Sequence, residues 1–304
     1  MLITVFTPAY NRANLLPRLY ESLCRQTAKN FEWIVVDDAS SDNTEELFKE
    51  YLSKEHDFPI YYLKQEHGGK HRAVNKGVNM ANGEYFFIVD SDDYLTDDAI
   101  EYVNKWIEET KDRKDLFGVS GYRMHPDGNT VGEFPKIPKD AYVEVSNLKR
   151  YKSKLMGDKA EVFKTDILRK HPFPEIPNEY FVTERYCWDA IAGEGYKIRW
   201  YNTAIYVCDY QDGGLSASGV NSIPGHIKNY QGYILFMRQS MKLWDFEEAV
   251  TIFREYNKTA NIMKKTLPIR AKDIDMTVIG YLTYLIIKMP IGYFIRLSRR
   301  FLNK

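Results

Sequence analysis

Covalent cross-links are scarce in this chain of 304 residues. It has three cysteines, Cys24, Cys187 and Cys208. An odd number at wide spacing fits neither a disulfide framework nor a closed zinc site, and points to a reducing compartment. Net charge is missing too, because 42 Lys and Arg balance 42 Asp and Glu. Bulk charge thus argues neither for nor against a polyanionic partner, and no nucleic-acid partner is expected. There is no internal repeat and no low-complexity tract. The first apolar run, residues 2–6, is too short for a leader and lacks a basic start and a cleavage site, so it is expected to be a strand of the mature fold. No run reaches the roughly 20 apolar residues of a spanning helix.

The charge is unevenly spread. From Lys264 to the end, nine Lys and Arg stand against two Asp, leaving 33 against 40 before it. Over the first hundred residues, β-rich runs at 2–6, 33–36, 60–64 and 85–89 alternate with helix-period stretches, such as Leu15, Leu16, Leu19, Tyr20 and Leu23. Asp42, with Glu45 three residues on, marks the start of a helix near 44–54. Strands separated by helices of about ten residues imply right-handed crossovers and an α/β, doubly wound, mainly parallel sheet. Beyond about Asp115 the pattern becomes mixed α+β, with strands expected at 117–124, 142–145 and 198–208. From about Ile223 a helical extension is expected. The expected domains are 1–222, in a nucleotide-binding half (1–114) and an acceptor-side half (115–222), followed by 223–304.

Ligands of such sheets bind outside the carboxyl ends of the strands, and the polar clusters fall there. Asp90-Ser91-Asp92-Asp93 follows the run 85–89. On an extended chain Asp90 and Asp92 point one way and Ser91 the other. Two hard oxygen ligands at that spacing suit Mg²⁺ or Mn²⁺ carrying a diphosphate. The simpler reading of so short a motif is a solvated acidic turn. Glu66-His67-Gly68-Gly69-Lys70-His71-Arg72 combines close backbone approach with cations, which suits an anion at Lys70 or Arg72. A flexible turn explains it as well, and His67 and His71 read as surface residues.

Four segments carry a resemblance. They are Thr7-Pro8-Ala9-Tyr10-Asn11-Arg12, Val35-Val36-Asp37-Asp38-Ala39-Ser40-Ser41-Asp42, Ala81-Asn82-Gly83-Glu84-Tyr85 and Asp90-Ser91-Asp92-Asp93. Together they resemble the family-2 glycosyltransferases of the GT-A fold, which build polysaccharides and glycolipids. The resemblance implies a nucleotide-sugar donor, UDP-linked by expectation, over the first, second and fourth strand ends. Thr7, Pro8, Ala9, Tyr10 and Arg12 would line the base and ribose pocket. Asp37 or Asp38 would accept from the base, since a carboxylate only accepts. Asp90, beside Ser91, would contact the ribose, and Asp92 would hold Mn²⁺ or Mg²⁺ on the phosphates.

Relatives place an acidic pair about a helix length before a Gly-Tyr turn. Here Thr183-Glu184-Arg185 precedes Gly195-Tyr196-Lys197, so Glu184 is the candidate base and Asp189 the reserve. Asp212 in Tyr210-Gln211-Asp212-Gly213-Gly214 is a candidate third metal ligand, or an ordinary turn. The implied reaction is inverting transfer of a hexosyl or N-acetylhexosaminyl group to a glycan or lipid-linked hydroxyl. Two alternatives stand beside it. One is a non-catalytic, membrane-associated scaffold of the same fold. The other is a nucleotidyltransferase, disfavoured because residues 7–12 contain no glycine.

The stretch 278–295, broken by Lys288 and Pro290, is too short and interrupted to span a bilayer. It reads either as an amphipathic segment on the cytoplasmic face of a membrane or as a helix packed on the body.

Overall fold

The computed structural model describes residues 2–209 and 219–291. The N-terminal alternation is present as β1 (Ile3–Ala9), α1 (Leu16–Cys24), β2 (Phe31–Asp37), α2 (Thr44–Leu52), β3 (Ile60–Lys64), α3 (Lys70–Met80), β4 (Tyr85–Ile88), the two-residue β5 (Tyr94–Leu95) and α4 (Ala99–Thr110). The chain continues as β6 (Leu116–Met124), β7 (Tyr142–Val145), β8 (Lys159–Lys164), α5 (Thr165–Lys170), α6 (Arg185–Gly193) and β9 (Lys197–Val207). The helical extension is α7 (Ile223–Lys228), α8 (Tyr230–Leu243), α9 (Phe246–Ile262), α10 (Leu267–Asp273) and α11 (Val278–Thr283), which runs into a π-helical turn, Tyr284–Lys288.

Two compact units result. The first is 1–173 with 191–214, and the second is 174–190 with 215–304. In the first unit the described strands form one sheet in the order β3-β2-β1-β4-β8-β6-β9-β5, with β7 paired to β9. The first four strands are parallel throughout, and β6 and β9 also pair in parallel. Beyond them β8 runs antiparallel to both β4 and β6. Strand β8 was not expected from the sequence. Its Lys159, Glu161 and Lys164 hide the apolar pattern, yet Lys159 is fully buried.

The buried ammonium of Lys159 donates to four carbonyls, those of Met156 at 2.5 Å, Val131 and Asp158 at 3.3 Å and Gly157 at 3.4 Å. Glu161 is met by Arg150 at 3.2 Å. A charge can be buried in a strand when it is paired in this way.

Strand alternation divides the sheet residues between two layers. Ile3, Val5, Trp33, Val35 and Phe87 join Leu16, Leu19, Leu23, Ile100, Val103 and Ile107 in one core. Phe6, stacked on Phe86 at 5.1 Å, faces the opposite layer and meets α3. That crossing fixes Gly77, where a Cβ would lie 2.1 Å from the Phe6 ring. Alanine is the better helix former by about 1 kcal/mol, but the overpacking cost of about 1–3 kcal/mol exceeds that gain. Gly77→Ala is therefore expected to lower the unfolding free energy by up to about 2 kcal/mol, and chemical denaturation reads it.

Candidate active site

The ends of β1 and β2 are laced together. Asp38 N–H donates to the Ala9 carbonyl at 2.8 Å, and Asn11 N–H donates to Ser40 Oγ at 2.8 Å. Asn11 adopts a positive φ of 53°, a region Asn tolerates, and its Oδ1 accepts from Ser41 N–H at 2.8 Å. Asp42 accepts from Ala13 N–H at 2.9 Å and from the Thr44 hydroxyl at 2.6 Å, so it ties the two loops at the entry to α2. Ala39 also has a positive φ, 66°, a conformation that costs an L-residue about 1–2 kcal/mol. The bond from Ser40 N–H to Asp37 Oδ1, 2.8 Å, holds it there.

This lacing gives the two aspartates of β2 internal partners. Asp37 is fully buried and accepts from the Tyr62 hydroxyl at 2.5 Å. Asp38 accepts from Gly68 N–H, Gly69 N–H and Gln65 Nε2 at 2.7–2.8 Å, and faces His67 Nδ1 at 2.9 Å. It therefore anchors the loop before α3. Gly69, at φ 88° and ψ 163°, occupies a region that only glycine adopts readily. Tyr10 is half exposed and its ring lies 4.9 Å from that of His67. Thr7 turns inward, where its hydroxyl accepts from the Trp33 indole at 3.0 Å. His71, expected at the surface, is buried in α3.

At the end of β4 the acidic turn is held from two sides. Lys70 donates to Asp90 Oδ1 at 2.5 Å, and Arg123 at the end of β6 approaches Oδ2 at 3.4 Å. Burial alone would push the Asp90 carboxyl up, but these two cations bring it down to about 2. The Tyr206 hydroxyl on β9 accepts from Asp90 N–H at 2.9 Å and donates to Asp93 Oδ2 at 2.8 Å. Arg123 lies 4.1 Å from the centre of the Tyr206 ring and 3.6 Å from Asp93. Burial, with the charge of Asp90 next, raises the Asp93 carboxyl to about 6. Ser91 is buried within the turn. Arg18 donates to the Asp92 carbonyl at 2.6 Å and pairs with Asp209.

The Asp92 carboxylate differs from its neighbours. It is about as exposed as Asp90, but its one cation, Arg12, stands off at 3.8 Å among the described residues.

The first unit thus gathers Tyr10, Arg12, Asp38, Asp90 and Asp92 at the ends of β1, β2 and β4, with Lys70 reaching Asp90 from the start of α3. Arg123, Tyr206 and Arg18 were missed. A lone arginine in the otherwise apolar strand β6 was the available signal. In the second unit, Glu184 is half-buried at the N-terminus of α6, its carbonyl accepting the first helical bonds from Cys187 and Trp188. Asp189, the reserve base, lies within α6. It is fully buried and accepts from the Trp244 indole at 2.9 Å. Asp212 lies outside the described residues.

The profile described as "Glycosyl transferase family 2" matches residues 4–171, more than half of the chain. The chain belongs to glycosyl transferase family 2. Within this family, glycosyltransferase GlyG of Streptococcus pneumoniae is 37% identical over 129 residues, covering 42% of each protein. The chain spans well under two thirds of the curated relatives it matches first. Among solved structures, S. aureus TarS 1–349 aligns with a TM-score of 0.64 at 18% identity, over 96% of this chain and 89% of that one. TarS has also been solved with UDP and with UDP-GlcNAc. The Pyrobaculum calidifontis mannosyltransferase PcManGT, in complex with GDP-Man and Mn²⁺, aligns with a TM-score of 0.54 at 17% identity, over 99% of this chain and 80% of that one. At such identities the likeness establishes a GT-A-like fold.

Two measurements check the turn. Tyr206→Phe strands the Asp90 N–H and removes the hydroxyl donor to Asp93 Oδ2, and is expected to cost about 1–3 kcal/mol of stability. The raised carboxyl of Asp93 contributes stability that is fully present below about pH 4 and lost as pH rises through about 6. Asp90 does the reverse, losing its contribution as pH falls from about 4 to 2. Asp93→Asn should therefore gain on the wild type between pH 4 and 6, with little change in their difference above that, in melting temperatures taken across pH.

Proposed function

We propose that this family-2 glycosyltransferase moves a sugar from a nucleotide diphosphate donor to a hydroxyl of a glycan or lipid-linked acceptor, with inversion. The observation that carries the reading is the inequality among the three carboxylates of the 90–93 turn. Asp90 is taken by Lys70 and Arg123, and Asp93 by Tyr206 and the Asp209 N–H at 3.1 Å. Among the described residues Asp92 keeps only the 3.8 Å approach of Arg12, which leaves it the best placed of the three to receive a ligand.

UDP is the donor nucleotide we favour, with TarS complexes as support. Whether the sugar is a hexose or an N-acetylhexosamine is left to the donor screen.

Among the described residues no group of three or more His, Cys, Asp or Glu side chains could hold a metal ion. That composition fits Mg²⁺ or Mn²⁺, which take one or two carboxylates and complete their shell with water and substrate phosphates. Asp92 would hold the ion, and the solved structure of PcManGT with Mn²⁺ supports a divalent cation. Such an ion supplies charge neutralisation on the diphosphate leaving group. The chain's own groups do the rest. Tyr10 offers its exposed ring to the base, and the Asp38 carboxylate keeps the 65–69 loop closed beneath it. Asp90, kept ionised by Lys70 and Arg123, accepts from the ribose hydroxyls. Glu184 receives the proton of the acceptor hydroxyl as that oxygen attacks the sugar from the face opposite the diphosphate.

Removal of the Asp92 charge in Asp92→Asn is expected to abolish nucleotide binding that depends on the cation. Thermal stabilisation by UDP, GDP, dTDP and CDP with and without Mn²⁺ measures this. A nucleotide shift retained in Asp92→Asn would move the cation elsewhere. Glu184→Gln should keep that shift while transfer falls by about 10²–10⁴-fold, the usual worth of a general base. Wild-type turnover in Glu184→Gln would remove Glu184 from the role.

A further inference from the structure

The second unit is built around Phe253, Tyr256, Tyr281 and Tyr284, which are buried together. Asp273 locks α10 to α8 and α9, since its Oδ2 accepts from the Tyr230 hydroxyl at 2.6 Å, the Tyr256 hydroxyl at 3.0 Å and Lys265 Nζ at 3.0 Å. Tyr281 donates in turn to Asn257 Oδ1. The segment 278–291 is thus fixed by its tyrosine side, and the two sequence readings of this stretch are not exclusive. A helix packed on the body still has an outer face.

That outer face is apolar. Ile279 is 78% exposed, Ile286 67% and Ile287 54%, at spacings of seven and eight residues that share one side of a helix. Leu267, Ile269 and Ile291 are exposed as well. Among the described residues no single helix is long and apolar enough to cross a membrane, and the pair 267–273 and 278–291 is bent by 92°. From 264 to 291 the chain carries Lys264, Lys265, Arg270, Lys272 and Lys288 against Asp273 and Asp275. The two acids after residue 263 are spent inside the unit, Asp273 as above and Asp275 on Lys242 at 2.7 Å. Lys264, Lys272 and Lys288 are exposed, and the sequence continues through Arg296, Arg299, Arg300 and Lys304.

We propose that this face is a docking surface for an anionic lipid bilayer, with the isoleucines entering the headgroup boundary and Lys264, Lys272 and Lys288 meeting lipid phosphates. Charge complementarity selects this occupant. A second copy of the face would set Lys264, Lys272 and Lys288 against the same three lysines, whereas an anionic leaflet supplies the counter-charge. Lying in the interface needs only an apolar stripe beside cations, not a spanning length. The proposal stands apart from the transfer chemistry, because neither the 90–93 turn nor Glu184 enters it.

Flotation of the full chain with vesicles tests it. One set is phosphatidylcholine alone, and the other carries about one third phosphatidylglycerol. Binding to the anionic set is expected to be at least about tenfold stronger than to the neutral set and to weaken in high salt. The surface variant Ile279→Gln/Ile286→Gln, checked for an unchanged melting temperature, should lose about tenfold or more. Lys264→Gln/Lys272→Gln/Lys288→Gln should lose the preference for the anionic set. Three results would overturn the proposal: no flotation with either set, flotation unchanged by the isoleucine substitutions, or light scattering that shows a dimer broken by those substitutions, which would assign the face to a second copy.

Discussion

The first unit depends on one hydroxyl. Tyr206 Oη receives the Asp90 N–H and gives its own proton to Asp93, so a single oxygen closes the acidic turn against β9. Arg123, lying over the Tyr206 ring, then ties the same turn to β6 and, through Nε, to the Lys159 carbonyl of β8 at 2.9 Å. Without this bridge the parallel N-terminal strands would end in a turn whose three aspartates repel one another. With it, the carboxylates divide into two that are committed and one that is not, and that division gives the site its chemistry.

How far the sequence reveals this follows from the range of the interactions. Strands β1 to β4 and helices α1 to α4 rest on apolar periodicity and local entry signals, which are written in neighbouring residues, and they stand where the sequence puts them. The C-terminal helices are legible for the same reason. Strand β8 is not, because the stabilisation of Lys159 comes from carbonyls at 131 and 156–158 and that of Glu161 from Arg150. Such partners become visible only when the chain is folded. Asp42 illustrates the middle case, since its place at a helix entry is local while its bond to Ala13 is not.

The site divides along the same line. The residues at the strand ends gather as the motif spacing implies, but the partners that decide their state come from far away. Arg123 and Tyr206 lie 33 and 116 residues from Asp90. The pair Asp37-Asp38 shows the converse. Adjacent in sequence and identical in chemistry, one is swallowed by the core and the other spans to the next loop. Alternation along β2 sends neighbouring side chains in opposite directions, and the fold finds a separate use for each.

The collar around the turn has a further consequence. Arg12, Arg18, Lys70 and Arg123 stand against Asp90, Asp92, Asp93 and Asp209, so the cluster is a set of close ion pairs with almost no monopole. Beyond a Debye length of about 8 Å its field is negligible. An incoming phosphate ester is neither drawn in from bulk water nor turned away. On the function proposed above, capture by this cluster begins at contact, and selectivity is a matter of exchange between partners rather than of attraction at a distance.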